Sequence, residues 1–177
     1  MNKLKATLLT KTGLNRVLIR LSHEIMEKHT SNLALIGIRT RGEIIAKRIF
    51  KNIDSLYNEK IYFGTLDVTF YRDDFSSNLG SPKVGPSNIT FDVNNKHIIL
   101  VDDVLYSGRT IRAAIEEIFS FGRPASIQLC VLVDRGHREL PIRADFIGKN
   151  YPTSINEHIH VLVSEIDKKD EVHLVKY

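Results

Sequence analysis

Cysteine is almost absent from this sequence, and so are long apolar runs. Cys130 is the single cysteine, which excludes an internal disulfide. It lies inside an apolar run, residues 127–133, so we expect a small buried strand residue and not a nucleophile. No apolar run is long enough to span a membrane, and residues 1–10 lack the apolar core and cleavage site of a secretion signal. These absences predict a cytoplasmic protein that does not bind membranes.

Internal repeats and low-complexity tracts are also missing, and the composition is that of an ordinary globular protein. The chain has 177 residues, of which 42% are hydrophobic and 26% are charged. We therefore predict one domain over residues 1–177 with a full core. The net charge of +4 is compatible with phosphate-rich ligands or RNA, but it establishes neither.

Hydrophobic periodicity alternates between helical and extended patterns along the chain. Helical spacing covers residues 14–28, 43–53 and 111–121. Extended patterns cover residues 33–38, 61–71, 98–101, 126–134, 145–148, 158–164 and 171–175. Alternating strands and helices predict an α/β fold, with a mostly parallel central sheet covered by helices on both faces.

The most informative window is residues 98–110. Four apolar residues predict a buried strand, and Asp102 and Asp103 follow at its carboxyl end. Ser107, Gly108 and Thr110 then lead into a predicted helix, whose free N–H groups suit a phosphate. Paired carboxylates at a strand end can accept hydrogen bonds from vicinal sugar hydroxyls, so the window predicts a ribose-5-phosphate site. A buried strand with a polar capping turn is the alternative, and it leaves two costly aspartates unexplained.

This window resembles the phosphoribosyl pyrophosphate (PRPP) signature of the type I phosphoribosyltransferases at every position of that motif. The resemblance implies the fold of that family, with a small hood and a flexible loop. It also implies that Asp102 and Asp103 are catalytic residues that fix the ribose. The residues implied to contact PRPP or the nucleotide product are Asp102, Asp103, Val104, Leu105, Tyr106, Ser107, Gly108, Arg109 and Thr110.

A second glycine-rich loop, residues 37–42, also lies between a predicted strand and a predicted helix. Its two glycines, one hydroxyl and two guanidinium groups suit a second phosphate group. In the type I family the matching loop binds pyrophosphate, often with a non-proline cis peptide. The resemblance implies that Arg41 is catalytic and that the PRPP contacts include Arg39, Thr40, Arg41 and Gly42. Taken alone, the loop also fits an ordinary strand–helix turn with solvated arginines.

A third polar segment follows the predicted strand 61–71. It begins with Arg72, Asp73 and Asp74, and residues 72–88 then lose all apolar pattern. We interpret this segment as a lid that excludes water from a reactive cation, with Arg72 as a catalytic residue at the pyrophosphate. The alternative is a surface hairpin in which Arg72 is only a solvated charge.

The fourth segment, residues 131–150, begins as a buried strand and opens into a polar turn. In the type I family this place recognises the nucleobase, which implies base contacts from Val133, Asp134 and Arg135, largely through backbone groups. Together with residues 71–74 and 101–106, this segment resembles the PyrR-type pyrimidine regulators. The resemblance runs from about residue 14 to the C-terminus. Those proteins are uracil phosphoribosyltransferases that also bind pyrimidine-operon messenger RNA in many bacteria.

The same resemblance implies an RNA-binding surface, which would control pyrimidine genes by transcription attenuation in response to UMP. Single-stranded RNA is usually recognised by stacking and hydrogen bonds over a basic surface. Ile19 departs from the family pattern, because relatives often carry threonine there, and it removes a hydroxyl donor from this surface. Solvated charges on an ordinary polar face are the alternative. The implied RNA-binding residues are Arg20, His23, Arg138, Arg143 and Lys149.

The implied reaction joins uracil and PRPP to give UMP and pyrophosphate, with Mg²⁺ held mainly through PRPP oxygens and water. We expect no metal site on the protein itself. His158 and His160 share one face of a predicted strand, but two histidines without a nearby carboxylate or cysteine seldom bind a metal, so we expect a surface strand. We also expect a homo-oligomer, a dimer or higher. Two alternatives stay open: a phosphoribosyltransferase for another base, such as hypoxanthine or orotate, and an RNA-binding regulator with little turnover.

Overall fold

A parallel β-sheet forms the centre of the fold. The computed structural model describes residues 3–57, 59–68 and 87–176. Within these ranges the sheet has five strands in the order β3-β2-β4-β5-β6, and every neighbouring pair is parallel. The α/β prediction is therefore confirmed. The strands are β2 (Leu33–Ile38), β3 (Tyr62–Leu66), β4 (His97–Leu105), β5 (Ser126–Asp134) and β6 (Phe146–Asn150).

Helices cover both faces of this sheet because successive strand side chains point to opposite sides. Along β4, Ile99 and Val101 belong to a core shared with α1 and α2. Ile98 and Leu100 belong to a second core shared with α3. Cys130 is buried in the first core, as predicted. The helices are α1 (Lys11–Lys28), α2 (Arg41–Tyr57) and α3 (Arg109–Phe121).

A small antiparallel sheet, the hood, joins the two ends of the described chain. Its strand order is β1-β8-β7, so Lys3 of the first strand pairs with Lys176 of the last. The local pattern did not predict β1, because its pairing partner lies at the far end of the sequence. The elements of the hood are β1 (Lys3–Leu9), β7 (Glu157–Leu162), the short helix α4 (Ser164–Asp167) and β8 (Glu171–Lys176).

Three element boundaries differ from the predicted ones: the start of α1, the end of β3 and the end of β7. Helix α1 begins before the predicted Leu14, because the Thr10 side chain accepts a hydrogen bond from the Gly13 amide and caps the helix. Strand β3 ends at Leu66, before the predicted end at residue 71. The predicted strand 158–164 ends at Leu162, and Ser164 begins α4 instead.

The predicted lid falls almost entirely outside the described residues, and Arg72 falls there with it. Ser87 and Asn88, the last two residues of that segment, are described and lie beside β3. Asn88 exchanges two backbone hydrogen bonds with Thr65, of 2.8 and 3.0 Å. None of the helices within the described ranges is both long and apolar enough to cross a membrane.

Candidate functional site

The carboxyl ends of the parallel strands meet at a cavity of about 770 Å³. Strand β4 and the loop after it form one wall, and the hood strand β7 forms the opposite wall. A cavity at this edge is where open parallel sheets bind ligands. Its lining residues include the predicted Arg41, Asp102, Asp103, Val104, Leu105, Tyr106, Ser107, Gly108, Thr110 and Arg135.

The acidic pair lies at the end of β4, as the sequence predicts. Asp102 is 6% exposed, and its carboxylate accepts a hydrogen bond of 2.9 Å from the Asp103 amide. The Asp103 carboxylate in turn accepts a hydrogen bond of 2.9 Å from the Val104 amide. Both residues line the cavity, so they present negative charge to whatever ligand fills it.

Residues 106–108 form a tight loop between β4 and α3, and Arg109 and Thr110 begin the helix. Gly108 precedes α3 with a φ of 94°, in the left-handed region that glycine adopts without strain. Gly108 has no side chain to cap the helix, and the Arg109 amide donates to the Ser107 hydroxyl at 3.4 Å. The positive end of the α3 dipole, which favours an anion, lies at this cavity. The Ser107 carbonyl accepts hydrogen bonds from the Glu139 and Leu140 amides, which tie this loop to the segment after β5.

The second glycine-rich loop meets the same edge from β2. Its Arg39–Thr40 peptide bond is cis. Gly42 packs directly on the acidic strand, since a Cβ atom there would lie 2.6 Å from the Val101 carbonyl oxygen. Thr40 is exposed and Arg39 is partly buried. Neither residue belongs to the cavity lining that the described residues form.

The two arginines of this loop have different partners. The Arg39 Nε lies 3.3 Å from a Glu43 carboxylate oxygen. Arg41 donates to both carboxylate oxygens of Asp167 in α4, at 3.0 and 3.2 Å, and it lines the cavity. Asp167 therefore holds Arg41 in place. Sequence reasoning missed Asp167, because no local motif links it to a residue at the other end of the chain.

The predicted base-recognition segment lies at the end of β5. Val133 is buried within the sheet and pairs with Val104 and Lys149. The Asp134 carboxylate accepts a hydrogen bond of 3.0 Å from the Gly136 amide. Arg135 is 4% exposed, and its guanidinium carbon lies 4.2 Å from the centre of the Tyr106 ring. This segment and the loop after β4 therefore form one packed unit.

Arg138 connects these two loops and does not stand on a free surface. Its guanidinium forms an ion pair with Asp134 and donates hydrogen bonds to the carbonyl oxygens of Tyr106 and Ile142, at 2.8 and 2.9 Å. Any RNA contact made by Arg138 would consequently be made beside the loops that follow β4 and β5.

The other predicted RNA-binding residues fall in three places. Arg20 donates hydrogen bonds to the carbonyls of Ile147 and Gly148, at 3.0 and 2.7 Å, so α1 brings it next to the exposed Lys149. His23 is partly buried and hydrogen-bonded to Tyr57 of α2. Arg143 is exposed on the segment between β5 and β6.

The hood contributes two histidines that the sequence analysis did not assign to the site. His158 and His160 line the cavity from β7, where we predicted a surface strand. Burial lowers the pKa of both imidazoles, helped by the charge of Arg135 for His158 and of Arg41 for His160. The alternation of β7 showed that they share a face, but only the hood topology decides which way that face points.

Within the described ranges no group of three or more histidine, cysteine or acidic residues is arranged to hold a metal ion. Asp102 and Asp103 nevertheless offer carboxylate oxygens to the cavity, which are ligands that Mg²⁺ accepts. Two carboxylates alone fit a Mg²⁺ ion that takes its remaining ligands from water or from a bound molecule.

Comparisons with known proteins point in the same direction as the geometry. The profile of the phosphoribosyl transferase domain family matches residues 6–165. A protein of Caldicellulosiruptor bescii named bifunctional protein PyrR is 56% identical over 161 residues, which cover 90% of this chain and 88% of the relative. The protein of the same name from Clostridioides difficile is 51% identical over 170 residues, covering 95% of this chain and 96% of the relative.

Solved structures support the fold. A hypoxanthine-guanine phosphoribosyltransferase of Bacillus anthracis superposes with a TM-score of 0.74 at 18% identity, covering 99% of both chains. A hypoxanthine phosphoribosyltransferase of Trypanosoma cruzi superposes with a TM-score of 0.73 at 16% identity, covering 98% of this chain and 97% of the other. At these identities the likeness concerns the architecture alone.

Proposed function

Because this chain belongs to the PyrR family of phosphoribosyltransferases, we propose that it transfers the phosphoribosyl group of PRPP to uracil and that it binds RNA in response to UMP. One observation carries the enzymatic part. The acidic pair of β4, the N-terminus of α3 and Arg41 all line one cavity at the carboxyl edge of the sheet. A ribose, its 5-phosphate and a pyrophosphate require those three kinds of group side by side.

The chemistry assigns a task to each wall of the cavity. The C1–O bond of PRPP breaks as the base approaches, so positive charge develops on the ribose ring and negative charge on the leaving pyrophosphate. Asp102 and Asp103 hold the ribose hydroxyls and stabilise the ring charge. The loop after β4 and the first turn of α3, residues 106–110, hold the 5-phosphate, while Arg41 and Arg39 neutralise the pyrophosphate. Arg72 is proposed to join them.

Mg²⁺ bound to PRPP would supply additional positive charge at the leaving group. The role of the protein is to hold the base and PRPP in line for the reaction, because fixing two reactants in position removes much of the entropic barrier. The segment at the end of β5 places the base against the ribose carbon, and the hood closes the cavity above it.

Asparagine variants of the acidic pair test the enzymatic proposal. Asp102→Asn and Asp103→Asn keep the size of the side chain but remove the charge, so we expect kcat to fall by about 100-fold or more. Melting curves should remain close to that of the unmodified protein. Uracil turnover near the normal value in both variants would contradict the ribose assignment.

A substrate panel separates the alternatives that the sequence leaves open. Turnover of hypoxanthine or orotate in place of uracil would identify a phosphoribosyltransferase for another base. Weak turnover of every base, together with tight RNA binding, would identify a regulator with little enzymatic activity.

The RNA part of the proposal rests on Arg20, Lys149 and Arg143, which are exposed cations outside the cavity lining. We expect Arg143→Gln and Lys149→Gln to weaken binding of the pyrimidine-operon leader and to reduce its salt dependence by about one phosphate contact each. Uracil turnover should not change. Arg138→Gln is expected to impair both activities, because Arg138 joins the two loops of the nucleotide site.

Filter-binding titrations of the leader RNA at two salt concentrations, with and without UMP, measure the RNA affinity and its dependence on salt and on UMP. If UMP favours the RNA-competent state, RNA raises the affinity for UMP by the same factor. RNA binding that changes neither with UMP nor with substitution of these cations would contradict the regulatory part of the proposal.

We also propose that residues 1–177 form a single domain and that this domain assembles into a homo-oligomer. Analytical sedimentation would measure the number of subunits.

A further inference from the structure

Strand β7 carries two histidines along one wall of the cavity, and they reach different ends of it. Both His158 and His160 line the cavity. The charge of Arg135, which follows β5, acts on His158, whereas the charge of Arg41, which begins α2, acts on His160. His160 therefore lies towards the second glycine-rich loop, at the end of the cavity where the pyrophosphate is proposed to bind.

The neighbours of His160 come from four elements besides its own strand. His160 pairs in register with His173 of β8, so both imidazoles lie on the same face of the hood. The His173 imidazole is hydrogen-bonded to Glu171 at 2.7 Å, and Glu171 also pairs with Lys169 at 3.2 Å. The other charged or titratable groups around this part of the cavity, among the described residues, are Arg41 of α2, Asp167 of α4, Asp102 and Asp103 of β4 and His158 of β7.

Carboxylates already offset the positive charge at this end of the cavity. Arg41 donates to both carboxylate oxygens of Asp167, at 3.0 and 3.2 Å. The Arg39 Nε lies 3.3 Å from a Glu43 carboxylate oxygen, and the acidic pair of β4 adds negative charge to the lining. A pyrophosphate brings more negative charge, so a further cation beside Arg41 would stabilise it. His160 is a lining side chain in that position that can gain a charge.

In the free protein the His160 imidazole is mainly uncharged at pH 7. Burial lowers its pKa most, and the charges of Arg41 and His173 lower it further. A nearby anion has the opposite effect, because it favours the protonated ring. A pyrophosphate group bound against Arg41 would consequently raise the pKa of His160 and draw a proton from the solvent.

We propose that His160 takes up a proton when PRPP binds and that its imidazolium then contacts the pyrophosphate group, so that the hood supplies a cation that exists only in the complex. This inference rests on the proposed function and deepens it. A proton taken up on binding makes the affinity for PRPP rise as the pH falls, over the range between the pKa of His160 in the complex and its lower pKa in the free protein.

Calorimetric titration with PRPP and Mg²⁺, without uracil, tests this inference in the absence of turnover. Titrations in two phosphate-free buffers of different ionisation enthalpy give the number of protons taken up at pH 7. The unmodified protein should take up more protons than His160→Gln, and the difference between the two cancels the titration of PRPP itself. The ratio of their dissociation constants should grow from about twofold at pH 8 to about tenfold at pH 6, since one unit of pKa shift corresponds to a factor of ten.

A matched ligand and two matched variants serve as controls. UMP has the ribose phosphate and the base but no pyrophosphate, so His160→Gln should change neither its affinity nor its proton uptake. His158→Gln lies on the same strand and should retain the proton linked to PRPP. His160→Lys is charged throughout this pH range, so it should bind PRPP about fivefold more tightly than the unmodified protein at pH 8, without the extra proton. Melting curves verify folding, and His160→Lys decides the question if His160→Gln does not fold.

The outcomes distinguish this inference from the function on which it rests. An unmodified protein that neither binds PRPP nor turns over uracil would refute the proposed function. PRPP binding with the same proton uptake in the unmodified protein and in the His160 variants would overturn only the role of His160. An equal loss of uptake in His158→Gln, or a proton in the UMP titration that depends on His160, would place the proton near the base or the 5-phosphate and would overturn it as well.

Discussion

At the residue scale, Gly42 sets how closely the second glycine-rich loop, residues 37–42, approaches the acidic strand β4. A Cβ atom at this position would lie 2.6 Å from the Val101 carbonyl oxygen and 3.0 Å from an Asp102 carboxylate oxygen. The Val101 carbonyl is a backbone group within the sheet, so it cannot move away from an added methyl group as the end of a flexible side chain could. The requirement for glycine here is therefore steric, and it comes from contact between the first turn of α2 and strand β4.

We predict that Gly42→Ala lowers the free energy of unfolding by about 1–3 kcal/mol and reduces kcat/KM, because the methyl group pushes Asp102 away from the ribose site. Denaturant titration and uracil kinetics measure the two effects. Gly13→Ala is the matched control, since its Cβ would meet its nearest atom at 3.5 Å inside a helix. That variant should be neutral or more stable by about 0.5–1 kcal/mol.

Asp167 acts at the same scale by holding Arg41 through two contacts of 3.0 and 3.2 Å. We predict that Asp167→Asn raises the KM for PRPP about fivefold, the equivalent of about 1 kcal/mol, with a smaller effect on kcat. Glu165→Gln is the control on the same short helix, because Glu165 pairs with Arg48 outside the cavity lining. Equal effects of the two variants would show that Asp167 stabilises α4 and does not position Arg41.

At the element scale, a charged contact joins the two outer strands of the hood, β1 and β7. The Glu157 carboxylate accepts hydrogen bonds from the Lys5 ammonium and, at 2.7 Å, from the Ser154 amide. The hydrogen bond from Lys5 is the main reason that the pKa of Glu157 falls from 4.5 to about 2. A carboxyl whose pKa is lower in the folded state stabilises that state above its unfolded pKa.

We predict that Glu157→Gln lowers the melting temperature at pH 7 and that the difference from the unmodified protein shrinks as the pH falls from about 4.5 towards about 2. The unmodified protein loses this contribution when Glu157 becomes protonated, whereas the glutamine variant has none to lose. Thermal melts between pH 7 and pH 3 measure the gap. A gap that stays constant with pH would mean that the charge of Glu157 does not contribute.

At the scale of the whole molecule, the core that joins the central sheet to α1 and α2 contains Cys130. Burial raises the pKa of its thiol to about 12. Since the thiolate is the reactive form and no solvent reaches the sulfur, labelling requires the core to open.

We predict that a thiol reagent labels Cys130 in the native protein more than about 1,000-fold more slowly than in denaturant. The control combines Cys130→Ala with Ser55→Cys, which places a thiol at an exposed position near the end of α2 and should react quickly in both states. Rapid native labelling of Cys130 would show that this part of the sheet opens without global unfolding.

The sequence by itself determined the strand–helix alternation and the position of the acidic pair within it. Strand β5 spans the residues that periodicity predicted, 126–134, and Asp102 and Asp103 lie at the edge where the motif placed them. These features depend on residues that are neighbours along the chain. Periodicity and motif spacing therefore contain the necessary information.

Only the tertiary structure decided which distant residues complete the cavity. His158 and His160 line the same cavity as the acidic pair because β7 pairs with β8, which pairs with β1. Asp167 reaches Arg41 from the far end of the chain, and Arg138 turns inward to join two loops. Pairing between segments far apart in sequence depends on how the whole chain packs, so no local pattern encodes which wall of the cavity such a side chain will face.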